Sequence, residues 1–322
     1  MARPAVLITR RIPASVVARL EPACEVDLYD GAGGMSRTDL HARLAGKQAL
    51  MCLLTDLVDA DVMDAAPGLR IVANIAVGYD NIDCAAARSR GIVVTNTPDV
   101  LTEATADFTW GLILAVTRRI AEGERLLRRG DWTGWALDFM LGTELRGKQL
   151  GIVGLGRIGR AVAARAGAFG MRVAFATLDA DAPRAVTDDP SWTRLGLDEL
   201  LSSSDVLSFH VPLTPATRHL IDRRAILRMK RRAYIVNTSR GPVVDEEALA
   251  WALREGLLAG AALDVYEREP EVHAGLVGLE NVVLAPHLGS ATVETRTAMA
   301  DLAARNVLAV LSGAPPLTPV VA

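Results

Sequence analysis

The chain has 322 residues, half of them apolar and 23% charged, which is enough for two domains, each with its own core. Its 35 basic and 38 acidic residues are interleaved and leave a net charge of −3, which excludes the one-sided basic face that nucleic-acid binding requires. No run of about 18 apolar residues offers a membrane span, and the apolar run before Arg10 and Arg11 is too short for a secretory leader, so a cytoplasmic protein is expected.

Short apolar runs alternate with helical patterns along the chain. Val6 to Ile8, Glu25 to Tyr29, Leu50 to Leu54, Ile71 to Ile75 and Ile92 to Val94 read as strands. Several are continuous rather than alternating, as in strands buried on both faces. Thr38 to Ala45 and Ala60 to Ala65 suit helices between them. Thr102 to Leu127 reads as one long helix, with Thr102 as its N-cap behind Pro98. A second series follows at Leu150 to Val153, Arg172 to Phe175, Val206 to Phe209, Tyr234 to Val236, Ala261 to Leu263 and Val282 to Leu284. Another helical pattern runs from about Ala291 to Leu311 and stops at Gly313 and Pro315.

This alternation implies two α/β domains of Rossmann-like or flavodoxin-like type, each with a parallel sheet, and a cleft between them. Crossings at Pro98 to Leu101 and Ala285 to Ser290 assign residues 1–100 plus 290–322 to one, discontinuous domain and residues 101–289 to the other.

The sharpest local signal is Gly154-Leu155-Gly156-Arg157-Ile158-Gly159. Alone, such a triplet of glycines is weak. Here it follows the strand Gln149 to Val153, opens the helical stretch Ile158 to Phe169, and leads to the strand Met171 to Ala176, completing a βαβ unit. Gly154 would allow the tight turn, Gly156 the approach of a pyrophosphate, and Gly159 the packing of helix on strand. The helix N-terminus adds free N–H groups and positive dipole.

The choice of cofactor is less sharply marked. The acidic residue that holds the ribose hydroxyls of NAD is expected at the end of the second strand, and that position is Thr177. No arginine adjoins it for NADP; Leu178 follows, and the next basic residue is Arg184. NAD and NADP both stay open, with a slight lean to NAD because Asp179 and Asp181 would repel a 2′-phosphate.

Three further polar residues stand at predicted strand ends, where ligand sites of α/β folds form: Arg240 after Tyr234 to Asn237, Glu269 after Ala262 to Tyr266, and His287 after Val282 to Ala285. Singly, each has a plain reading as a surface or loop residue. Cys24, Cys52 and Cys84 form no CxxC pair and read as reduced thiols, and no metal site is expected.

In combination and order, four stretches resemble the D-isomer-specific 2-hydroxyacid dehydrogenase family: Gly154 to Gly159, Asn237 to Glu246, Leu263 to Pro270 and Ala285 to Ser290. The resemblance covers essentially the whole chain. Ala76 to Asp83 and Pro98 to Thr102 are most similar to the glyoxylate and hydroxypyruvate reductases of that family.

The resemblance implies hydride transfer between a nicotinamide and a 2-oxo or 2-hydroxy acid, in a homodimer. His287 would move the proton, a task suited to imidazole. Glu269 would fix its tautomer, and Arg240 would hold the substrate carboxylate and polarise the carbonyl. The backbone N–H groups of Val77 and Gly78 would receive the carboxylate. Beyond the glycine turn (including Leu155, Arg157 and Ile158) and Thr177, cofactor contacts would come from Thr105, His210, Val211, Pro212, Thr217, Thr238, Ser239, Arg240, Asp264, His287, Gly289 and Ser290.

Trp132, Trp135 and Phe139 precede the cofactor domain. They read as core or subunit contact, and Phe139 sits where an aromatic of the neighbouring subunit closes the site in the nearest relatives. Reductases of 2-ketogluconate and dehydrogenases of phosphoglycerate or phosphite are alternatives within the family, although the chain lacks the length for an added regulatory domain. A dinucleotide-sensing corepressor with the same fold is the rival from another class. The absence of long disordered tails argues against it.

Overall fold

The computed structural model describes residues 3–31, 33–178 and 189–320, and the chain divides into two compact units, Met1–Leu101 with Ala291–Ala322, and Thr102–Ser290. Asp179, Asp181 and Arg184, weighed above for the cofactor, lie outside the described residues.

In the first unit, Ala5–Ile8 (β1), Glu25–Leu28 (β2), Ala49–Cys52 (β3), Ile71–Asn74 (β4) and Val93–Thr95 (β5) form a parallel sheet in the order β2-β1-β3-β4-β5. This is the flavodoxin-like order. Every residue of β3 and β4 is buried, which is why these strands read as apolar rather than alternating, with Asn74 the one polar residue. Helices start where side chains satisfy their free N–H groups, as Ser36, Asp59 and Asp83 do. The helix Val293–Ser312 joins the same unit and packs on β3 and β4. Its last carbonyls, Val310 and Leu311, accept from the Arg70 guanidinium at 2.7 and 3.1 Å, a cation placed at the negative end of the helix dipole.

In the second unit the strands are Gln149–Val153 (β6), Arg172–Ala176 (β7), Thr193–Arg194 (β8), Val206–Phe209 (β9), Tyr234–Asn237 (β10), Gly260–Leu263 (β11) and Val282–Leu284 (β12). They form one parallel sheet in the order β12-β11-β10-β9-β6-β7-β8. Counted from its own first strand, this is the 3-2-1-4-5-6 dinucleotide arrangement with one added strand, and the order reverses between β6 and β9. Alternate residues feed two cores: Leu150 and Ile152 point to one face, Val153, Leu207 and Phe209 to the other. On the first face Trp110 stacks on Phe169 at 4.2 Å and donates to the Val162 carbonyl at 2.9 Å.

The single helix expected over Thr102 to Leu127 is two helices, Thr102–Thr117 and Ile120–Arg129. Periodicity alone reads across the break, because Arg118 and Arg119 are good helix formers. The break has a tertiary cause. The Thr117 carbonyl accepts from the Thr143 N–H at 2.8 Å as the chain folds back. Arg119 turns into the left-handed region at φ 55°, with its guanidinium held by Glu122. The second helix buries none of its residues. Similarly, the helix expected over Ile158 to Phe169 tightens to a 3₁₀ turn from Ala166.

Candidate active site

The carboxyl ends of β6, β9, β10, β11 and β12 carry most of the chemistry-bearing groups singled out from the sequence. At the glycine turn, Gly154 has φ 94°, and a Cβ there would lie 2.6 Å from the His210 carbonyl oxygen after β9. The turn is thus wedged at the point where strand order reverses. A Cβ on Gly159 would lie 2.1 Å from the Gly154 oxygen, so any side chain would push the helix Arg157–Arg165 off the turn. A Cβ on Gly156 would meet nothing within 4 Å. Gly156 caps that helix without a side-chain hydrogen bond, leaving its first N–H groups for an anion. A closed turn, an open face and a bare helix N-terminus together fit a dinucleotide pyrophosphate. Leu155 is buried and Ile158 half-buried in the core, so both serve the turn through their backbone.

Around this turn the remaining cofactor candidates divide into two kinds. His210 Nε2 pairs with Ser208 Oγ at 2.8 Å, and burial pushes its pKa down to about 3, so the ring is neutral. Thr109 and Thr238 share a hydroxyl hydrogen bond at 2.9 Å, and Thr109 also donates to the Thr105 carbonyl. Thr217 is spent on its own loop after β9: its hydroxyl donates to the Pro212 carbonyl and accepts from the Thr214 N–H, both at 2.7 Å.

Arg240, Glu269 and His287 stand on the loops after β10, β11 and β12. Asn237 shapes the first loop by donating to the Arg240 carbonyl at 2.9 Å and accepting from Ser239. Gly241 presses it onto the second, for a Cβ there would lie 1.9 Å from the Tyr266 carbonyl carbon. The Tyr266 hydroxyl donates to the Ala285 carbonyl at 2.9 Å, which ties the second loop to the third. Its pKa is pushed up to about 12, by burial first.

Glu269 Oε2 meets His287 Nδ1 at 2.9 Å, while Oε1 accepts from the Tyr266 N–H at 3.1 Å. Burial would raise the Glu269 pKa, but the His287 hydrogen bond, the Tyr266 N–H and the Arg240 charge hold it below the usual carboxylate range. An ionised Glu269 keeps the proton on Nδ1 and turns Nε2 outward.

Asp264 supplies the rest of the frame and is almost wholly buried. Its carboxylate accepts from the N–H groups of Leu288 and Gly289, and its carbonyl from His287 at 2.9 Å. Burial raises its pKa. This clamp holds His287 at φ 55°, a left-handed conformation that few residues other than glycine adopt.

In the first unit, the Asn96 side chain donates to the Val77 carbonyl at 2.7 Å and that of Asn74 to the Gly78 carbonyl at 2.8 Å. Among the described residues no protein acceptor takes the N–H of Val77 or Gly78. Two amides anchor the turn by its carbonyls and leave its donors available.

Comparison with known proteins matches this frame. The family described as D-isomer specific 2-hydroxyacid dehydrogenase, NAD binding domain, matches residues 110–289. A glyoxylate reductase of Thermofilum pendens is 49% identical over 98% of this chain and 94% of its own length. The chain belongs to the D-isomer-specific 2-hydroxyacid dehydrogenase family. A Thermus thermophilus structure is similar at 47% identity and a TM-score of 0.92, covering 98% of this chain and all of that one. The NADPH-dependent glyoxylate/hydroxypyruvate reductase of Sinorhizobium meliloti, solved with NADP and malonate, is 37% identical with a TM-score of 0.86 over 99% and 97% of the two chains.

As a 2-hydroxyacid dehydrogenase, this protein is an NAD(P)-dependent oxidoreductase acting on the CH–OH group of donors. No described helix is long and apolar enough to cross a membrane, and the described residues contain no cluster suited to a metal ion.

Three neighbours of these residues carry no local signal in the sequence. Asn237 and Tyr266 act by tying loops together, and only the hydrogen bonds reveal them. Arg194 lies 17 residues beyond Thr177, yet its guanidinium donates to the Thr177 hydroxyl at 2.8 Å. The edge strand β8 that brings it there is two residues long and has no readable periodicity.

Proposed function

We propose that this dehydrogenase works mainly as a reductase of glyoxylate or hydroxypyruvate, with Arg240, Glu269 and His287 as its catalytic residues. The observation that carries this reading is the Glu269–His287 hydrogen bond, formed between two loops of one sheet edge beside a glycine turn fit for a dinucleotide. The relatives named glyoxylate reductase support the substrate class.

A nicotinamide held at Gly154 to Gly159 would supply the hydride for the substrate C2, or accept it in the reverse direction. Arg240 binds the substrate carboxylate through its planar fork and draws electron density from the neighbouring carbonyl. His287 Nε2 delivers a proton to the carbonyl oxygen during reduction and takes it back during oxidation. Glu269 orients the ring through its hydrogen bond to Nδ1. The N–H donors of Val77 and Gly78 suit a carboxylate, and Gly154 to Gly159, Thr177, Thr238 and Asp264 are assigned to the cofactor.

The same reading makes the protein a cytoplasmic homodimer. Ile120, Leu127, Trp132, Trp135 and Leu137 are exposed on the helix Ile120–Arg129 and the segment after it, with Trp135 at 81%, an apolar extent that a second copy would cover. Phe139, 39% exposed, is assigned to the partner's site. The three cysteines are free thiols.

The test is direct. Purified protein with NADH or NADPH should oxidise the cofactor when glyoxylate or hydroxypyruvate is added, followed by loss of nicotinamide absorbance. Absence of turnover with both acids overturns the substrate assignment, and a monomeric mass in sedimentation overturns the dimer.

A further inference from the structure

The end of β7 is where a dinucleotide fold recognises the adenosine ribose, through a carboxylate for a free 2′-hydroxyl or an arginine for a 2′-phosphate. This position is defined here by the glycine turn itself, because the Gly154 N–H donates to the Ala176 carbonyl at 2.9 Å and Thr177 is the next residue. Thr177 carries no charge. Its hydroxyl accepts instead from Arg194, which enters from β8.

Three features make Arg194 more than a neighbour. Register pairs it with Phe175, and the Leu195 N–H donates to the Phe175 carbonyl at 2.9 Å, so the backbone at Arg194 is fixed to β7. Its side chain is exposed. Among the described residues it pairs with no carboxylate, whereas arginines such as Arg37, Arg90, Arg165 and Arg228 are each engaged by at least one. An exposed guanidinium bonded to a neutral hydroxyl keeps most of its donors and all of its charge for a ligand.

We propose that Arg194, with Thr177, is the specificity-determining pair for the 2′-phosphate, and that the protein prefers NADP(H) to NAD(H). The assignment rests on the reading of the glycine turn as the dinucleotide site and runs against the lean to NAD drawn from Asp179 and Asp181. The guanidinium fork matches a phosphate in charge and geometry, and a carboxylate that would repel the phosphate is replaced at Thr177 by a hydroxyl. A 2′-hydroxyl gains far less from the same pair.

The experiment is equilibrium binding to the intact protein, read by tryptophan fluorescence or calorimetry, with NADP⁺, NAD⁺, 2′,5′-ADP and 5′-ADP as probes. The wild type should bind NADP⁺ about 10- to 100-fold more tightly than NAD⁺, with the same ranking for the two fragments. Arg194→Gln should reduce the NADP⁺/NAD⁺ affinity ratio by about 10-fold or more, with Arg194→Lys in between. Thr177→Asp should invert the preference.

Equal affinity of the wild type for the two cofactors, or a preference for NAD⁺, overturns the proposal. So does an Arg194→Gln variant that weakens both probes equally, as an arginine stacked on adenine would. Because no acid substrate is present, failure here is distinct from failure of the glyoxylate assignment, which appears as absent turnover with intact cofactor binding.

Discussion

Both units are parallel-sheet α/β folds, and the groups assigned to the chemistry are of different kinds in each. Both are parallel sheets with strands buried on both faces. In the five-stranded unit, the polar groups assigned to the substrate are backbone N–H donors, aimed by neutral side chains, Asn74 and Asn96. In the seven-stranded unit, loops after three adjacent strands deliver an arginine, a glutamate and a histidine, with Asp264 buried beneath them.

The difference teaches that a parallel sheet edge can offer either shape or charge. Amide anchors set geometry with no ionisation to control. The charged loops need supporting contacts (Asn237, Gly241, Tyr266 and Asp264) because side chains on separate loops keep a shared geometry only when the loops are tied together.

The comparison breaks most sharply at His287. His287→Gln should lower kcat by about 10²-fold or more in steady-state reduction of glyoxylate, with cofactor affinity retained. A loss confined to KM would reassign His287 to binding. Arg240→Lys should lower kcat/KM by roughly tenfold or more, since a point charge cannot replace two parallel hydrogen bonds; unchanged kcat/KM would remove Arg240 from substrate binding.

The neutral unit should respond more mildly and in a different parameter. Asn96→Ala frees the Val77 carbonyl and loosens its turn, costing about 1 kcal/mol of alignment. This should appear as a several-fold rise in substrate KM with kcat and cofactor affinity nearly unchanged. A fall in kcat equal to that of the His287 variant would erase the division of labour between the units.

The smallest expected effect is on stability in acid. Glu269 has a folded pKa below its usual value of 4.5. Its ionised form therefore stabilises the fold above that value, and the contribution is lost as pH falls through the depressed folded pKa. Thermal melts of the wild type and Glu269→Gln should differ at neutral pH and converge in strong acid. A gap that widens as pH falls would contradict the assigned sign.

Much of this molecule was legible before folding was considered. The largely apolar, non-alternating runs over β3, β4 and β10 announce strands buried on both faces. Gly154, Gly156 and Gly159 mark a turn whose steric needs the structure bears out: two positions have backbone where a side chain would stand and one is open. The family followed from motifs in order along the chain, because the residues of each loop are contiguous. The break at Arg118 and Arg119 was not legible, since it depends on Thr143 returning to the Thr117 carbonyl.

The pair of parallel folds, the glycine turn and the identities of the charged residues after β10, β11 and β12 follow from the amino-acid sequence. Local periodicity and contiguous motifs carry that information, because burial on both faces and tight turns restrict residue type position by position. Tertiary structure alone decided that Glu269 and His287 lie at hydrogen-bond distance, that Asp264 clamps the histidine loop, and that Arg194 reaches Thr177. Each is a contact between separate strand ends, and the lateral order of a sheet is set by packing and topology rather than by neighbours in the chain.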